Sequence, residues 1–215
     1  MHRPLTLVIM LAVLAGALSF LGTLLSAPGQ VDARLYGSQV RAAMGAGDWA
    51  LVAKVSRAAV RQAPRMQEAL LFQAFAEDRT GSQSRADYLW ARLERVSREN
   101  IRRGNDSAEQ WYYLGWGLSG QGYEEGARAA WRDLVRQMSP REEPYNRVCY
   151  LTLAGETEAA LEAWERLAEA PVGVDWRWAR VDPDLEGIRG DPRFEEARQR
   201  ARQLLRQAVE EETRI

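Results

Sequence analysis

One histidine (His2), one lysine (Lys54) and one cysteine (Cys149) are all that the 215-residue chain holds of these three types. A lone cysteine excludes an internal disulfide in any compartment. His2 and Cys149 together cannot supply the ligands of a zinc site, and no histidine follows residue 2 to serve as a catalytic base. Net charge is missing as well, since 29 basic and 30 acidic side chains leave −1. A nucleic-acid binder needs a basic excess to displace the counterions of phosphate, so nucleic acid is not an expected partner. No G-x-S-x-G, Walker or dinucleotide-binding glycine pattern occurs, and Gly115 and Gly117 are separated by Trp116 within a helical stretch. The pairs Glu124–Glu125, Glu142–Glu143, Glu195–Glu196 and Glu210–Glu211 are adjacent in sequence. Neighbours on a helix do not face each other, so these pairs read as solvated faces and helix starts rather than acid–base couples. The chain is therefore expected to be non-enzymatic, with no catalytic residue, metal or cofactor.

What is present is an ordinary folding composition, 46% hydrophobic and 27% charged, preceded by one long apolar run. Leu5 to Leu25 carries no charged residue, and its 21 positions give a helix of about 31 Å, the thickness of a bilayer's hydrocarbon core. A cleaved signal peptide is the competing reading. Its apolar region is usually shorter, and Leu25-Ser26-Ala27 places leucine where the cleavage site wants a small residue. Residues 1–30 are therefore expected to be a retained single-pass anchor in the bilayer. Arg3 stands on one side and Arg34 and Arg41 on the other, which nearly balances the positive-inside rule. The short head favours a cytoplasmic N-terminus. In a bacterium, the soluble part would then be periplasmic, on the inner membrane.

The remainder is periodic. Gly47, Gly81, Gly122 and Gly155 each follow one apolar helical run and precede another, at spacings of 34, 41 and 33 residues. Five residues beyond each glycine stands Val52, Ala86, Ala127 or Ala160. Four residues later come Ser56, Trp90, Trp131 and Trp164, and three later still Ala59, Leu93, Leu134 and Leu167. Positions i, i+4 and i+7 share one helix face, so every second helix of a pair shows its neighbours the same stripe. The glycine ends one helix and permits the tight turn into the next.

The segment Trp111-Tyr112-Tyr113-Leu114-Gly115, followed by Gly122-Tyr123, Ala127, Trp131 and Leu134, resembles the tetratricopeptide (TPR) repeat pattern W-x2-L-G…Y…A-x3-F. Val40 and Ala74 stand where the first-helix glycine belongs in the first two repeats, and Ser56 where an aromatic belongs. Repeats are placed at about 33–66, 67–100, 108–141 and 142–174, with 101–107 as linker. Tyr145-Asn146-Arg147-Val148-Cys149 is similar to the first helix of a closing repeat, and Asp182-Pro183-Asp184-Leu185 with Asp191-Pro192-Arg193-Phe194 to a segment that ends such arrays.

Physics supports that C-terminal reading. Asp182 and Asp191 suit helix N-caps, each with proline at the first helical position. The last helix is expected to turn Phe194, Ala197, Ala201, Leu204 and Val209 inward. Trp176 and Trp178 are expected to cover the last helix pair, and Ser107 with Gln110 to form a capping box.

The expected architecture is all-α: an anchor (1–30), a TPR-like α-solenoid of about four helix pairs (31–181) and a capping segment (182–215). The resemblance implies a concave groove that binds other proteins, lined by Arg41, Leu71, Phe75, Arg79, Tyr112, Trp116, Tyr145, Asn146 and Cys149. A lysine–asparagine clamp for a terminal carboxylate is not apparent. The implied function is a membrane-anchored interaction scaffold or assembly factor. The alternative is a permanent accessory subunit of a membrane protein complex.

Overall fold

The computed structural model describes residues 33–139 and 141–212. The apolar run Leu5 to Leu25 lies outside the described residues, and no helix among them is long and apolar enough to cross a membrane. The described chain is all-helical and without strands. Eight helices come first: α1 (Ala33–Gly45), α2 (Trp49–Gln62), α3 (Gln67–Arg79), α4 (Gln83–Arg102), α5 (Ala108–Ser119), α6 (Glu124–Gln137), α7 (Pro144–Ala154) and α8 (Thr157–Glu169). Two 3-10 turns, Trp178–Arg180 and Pro183–Leu185, lead to the short α9 (Glu186–Arg189) and the long α10 (Pro192–Glu212). Each helix from α1 to α8 packs on the next, α3 also touches α5, and α10 closes on α8. The arrangement is repeat-like.

Local sequence explains the joints. Gly47, Gly81, Gly122 and Gly155 sit at φ of 72°, 80°, 79° and 80°. A side chain is strained in that left-handed region, and glycine is not. Asp48 caps α2 by accepting from Leu51 N at 2.9 Å, and Glu143 caps α7 by accepting from Asn146 N at 2.9 Å, with Pro144 opening the helix. All twelve stripe positions, from Val52 to Leu167, are buried. Ser56, at the stripe position that tryptophan holds in later pairs, is buried against α1, where Tyr36 OH donates to its Oγ at 2.9 Å.

Three expectations fail. Ser107 makes no side-chain cap bond; Gln110 is instead buried and its Oε1 accepts from Asn100 Nδ2 at 2.9 Å, tying α5 to α4. Leu204 and Val209 are exposed while Phe194, Ala197 and Ala201 are buried. The 21 residues of α10 outrun the 13 of α8, so its final turns pass beyond the surface they pack on. Trp178 does not cover the last pair; it packs against the cluster of Tyr36, Val40 and Phe72 at the opposite end of the array.

Candidate functional site: a cavity crossed by the chain's own strap

The first helix of every pair contributes to one cavity of about 590 Å³. Arg41 comes from α1, Leu71 and Phe75 from α3, Tyr112 from α5, and Tyr145, Asn146 and Cys149 from α7. Seven of the nine residues that the TPR resemblance implies as groove residues thus meet around one space. Arg79 and Trp116 do not line it. Arg79 lies over the Trp49 ring, 5.3 Å from its centroid. Trp116 lies deeper, edge-on between Phe75 at 4.9 Å and Trp131 at 5.4 Å, in an aromatic chain that Phe75 extends to Trp90 at 5.1 Å.

The remaining wall comes from the segment between α8 and α9, which crosses the cavity as a strap. Gly173 at φ 88° turns the chain, and the Asp175 carboxylate accepts from the amides of Arg177 and Trp178 to close the next turn. Trp176 packs on Trp164 with centroids 4.9 Å apart, and Trp178 reaches α1. Asp182 then opens the 3-10 turn, its Oδ1 accepting from Asp184 N at 3.0 Å, as its N-cap chemistry requires. Leu185 and Ile188 are buried against α7 and α8.

Two carboxyls are carried inward by this turn. Asp182 accepts from Tyr145 OH at 2.7 Å. Asp184 accepts from Tyr112 OH at 3.1 Å and from Trp116 Nε1 at 3.1 Å. Tyr112 and Trp116, four apart on one helix face, are therefore covered by a residue some seventy positions later in the chain. No local pattern announces that pairing. The Asp-Pro-Asp motif is legible only as a cap, because its second carboxyl has no role in helix initiation.

Burial first, and then the neighbouring Asp182, raises the Asp184 carboxyl well above the usual range, against the pull of the Tyr112 and Trp116 donors. Burial raises Asp182 too, although Tyr145 and the Asp184 amide oppose it. The same burial, with these two acids nearby, lifts Tyr112, Tyr145 and Cys149, so the phenols remain donors and the thiol stays protonated. Cys149, Asp182 and Asp184 bring ligand-type atoms within 4.8 Å of one another. Both carboxyls, however, already accept hydrogen bonds from the surrounding wall.

A pH dependence follows. Groups held above their unfolded values stabilise the fold fully below the unfolded aspartate value of about 3.9, and that stability is lost as pH rises through the raised folded values. The lowered carboxyls of Glu77, Glu94, Glu99, Glu165 and Glu195 work in the opposite sense and lose their contribution as pH falls below the ordinary glutamate range. Thermal melts are therefore expected to peak in mildly acidic buffer and to decline toward about pH 8. Asp184→Asn keeps acceptor oxygen for Tyr112 and Trp116, so it is expected to raise the midpoint at about pH 8 and to flatten the decline. An unchanged slope in that variant would remove Asp184 as its source.

The chain matches no protein-family model and no curated protein.

Proposed function

We propose that the protein is a TPR-type solenoid, tethered to a bacterial inner membrane by Leu5 to Leu25, whose concave cavity holds a partner protein on the periplasmic side, as an assembly factor does. The observation that carries this reading is the convergence of all four first helices on one cavity of about 590 Å³, within the usual ligand-pocket range of about 300–1,000 Å³. A purely structural stack has no need to keep such a space open, because interiors otherwise pack as densely as organic crystals. Seven of its twenty lining residues are aromatic, and such side chains are common energetic anchors of interfaces.

The test is site-specific photocrosslinking in membranes. A benzoylphenylalanine at Asn146, half-buried in the cavity wall, is expected to trap the partner. The same probe at Tyr88, exposed on α4 away from the cavity, is expected to trap nothing comparable. Adducts at Tyr88 with none at Asn146 would move the binding surface to the outer face. The adduct's abundance also decides between two roles: a constant one-to-one complex makes the protein a subunit, and exchanging, substoichiometric adducts make it an assembly factor. Carbonate extraction tests the anchor, and recovery of the chain in the soluble fraction would remove it.

A further inference from the structure

The charge around the cavity is one-sided. Among the described residues lining it, Glu68, Glu109, Glu143, Asp175, Asp182 and Asp184 stand against a single cation, Arg41. Four of the acids have work within the fold: Glu143 caps α7, Asp175 closes a turn, and Asp182 and Asp184 seat the strap. Glu68 and Glu109 are different. Each lies in the first turn of its helix, α3 and α5, and each faces the same space. A first-turn acid is favoured by the helix dipole, which accounts for each residue singly. It does not account for two of them lining one open cavity together with tyrosines.

Glu68 is half-buried beside Gly37, where a Cβ would lie 3.1 Å from Glu68 Oε1 and 3.3 Å from the Arg41 guanidinium. Burial raises its carboxyl; Arg41 opposes this and Glu109 adds to it. Among the described residues, Arg41 is the one cation of the lining set against this pair. Tyr113 and Tyr150 line the same cavity as the two glutamates. Carboxylates beside aromatic faces are the surroundings that a guanidinium or ammonium group prefers, through charge-assisted hydrogen bonds and attraction to the ring quadrupole. An acidic peptide or a phosphate would meet Glu68 and Glu109 instead.

We propose that the cavity accepts a basic segment of the partner protein, with an arginine or lysine side chain entering between Glu68 and Glu109 against Tyr113. This rests on the groove reading above and names the chemistry of its occupant. Charge complementarity selects the occupant, and the tyrosine wall favours arginine, which stacks on rings as well as pairing with carboxylates.

The experiment uses the full chain in neutral detergent, with capped hexa-arginine and hexaglutamate peptides as probes and calorimetry as the readout. Hexa-arginine is expected to bind at low salt and hexaglutamate is not. Glu68→Gln with Glu109→Gln is expected to weaken hexa-arginine binding by about tenfold or more, as the loss of charge-assisted bonds implies. Glu124→Gln with Glu125→Gln makes the same change of charge in the first turn of α6, outside the cavity, and is expected to change binding by about twofold or less. Glu109→Gln alone, at an exposed position, covers the case in which the double variant does not fold.

Equal losses in the two double variants, binding of hexaglutamate, or no binding of hexa-arginine would each overturn the proposal. If crosslinks from Asn146 persist while hexa-arginine fails, the groove stands and the charge assignment falls. If both fail, the groove reading falls with it.

Discussion

Trp164→Ala is expected to cost about 3–5 kcal/mol, the range for emptying a buried tryptophan site. Trp164 is fully buried, stacks on Phe194 of α10 at 4.8 Å with the rings 6° from parallel, and donates from Nε1 to Phe194 O at 2.9 Å. Trp176 of the strap packs against it at 4.9 Å. One side chain of α8 therefore holds both the closing helix and the strap. Chemical denaturation measures the total loss, and hydrogen exchange is expected to show α10 and residues 171–185 opening first. Trp164→Phe keeps an aromatic ring but removes the donor to Phe194 O, and is expected to cost about 1–2 kcal/mol. A loss below about 1 kcal/mol for Trp164→Ala would mean that α10 is held by contacts other than this stack.

Gly117→Ala is expected to destabilise by about 1–3 kcal/mol, despite the roughly 1 kcal/mol that alanine gains over glycine in a helix. A Cβ at Gly117 would lie 2.6 Å from Glu94 N and 2.9 Å from Glu94 Cα. Those are backbone atoms of α4, which cannot rotate aside, so α4 and α5 must move apart. Gly115 and Gly120 carry related constraints, because a Cβ there would run into the indoles of Trp131 and Trp90. Gly126 is the internal control. It sits in α6, and a Cβ there would meet no atom nearer than 3.5 Å, so Gly126→Ala is expected to be neutral or to stabilise by up to about 1 kcal/mol. Thermal melts of the two variants should therefore move in opposite directions. A shared direction would show that propensity, not close helix approach, governs these positions.

The strap changes what the cavity presents to a partner. Tyr112 and Trp116 already donate to Asp184, so their polar atoms are engaged within the chain. Releasing the strap would break the bonds of Tyr112 and Trp116 to Asp184, while returning to water two carboxyls that burial disfavours as anions. Mild acid removes that charge and favours the docked strap.

The sequence alone determined the helical character, the glycine turns within the pairs and the buried stripes of the second helices. Helix periodicity, proline and aspartate caps and left-handed glycines all act over fewer than ten residues, so Gly47, Gly81, Gly122 and Gly155 are readable without any tertiary contact. The acidic first turns were readable in principle too: Glu109 follows Glu68 by 41 residues, the same spacing as Gly122 after Gly81. Only the tertiary structure decided what fills the space between the repeats. Asp184 meets Tyr112 across 72 residues and Trp116 across 68, and Trp178 reaches back to α1. Gln110 turned from a cap to a partner of Asn100 because burying an amide demands a hydrogen bond from whatever helix lies beside it. Leu204 and Val209 stayed in solvent because the length of α8, not the pattern of α10, sets where the covered surface ends.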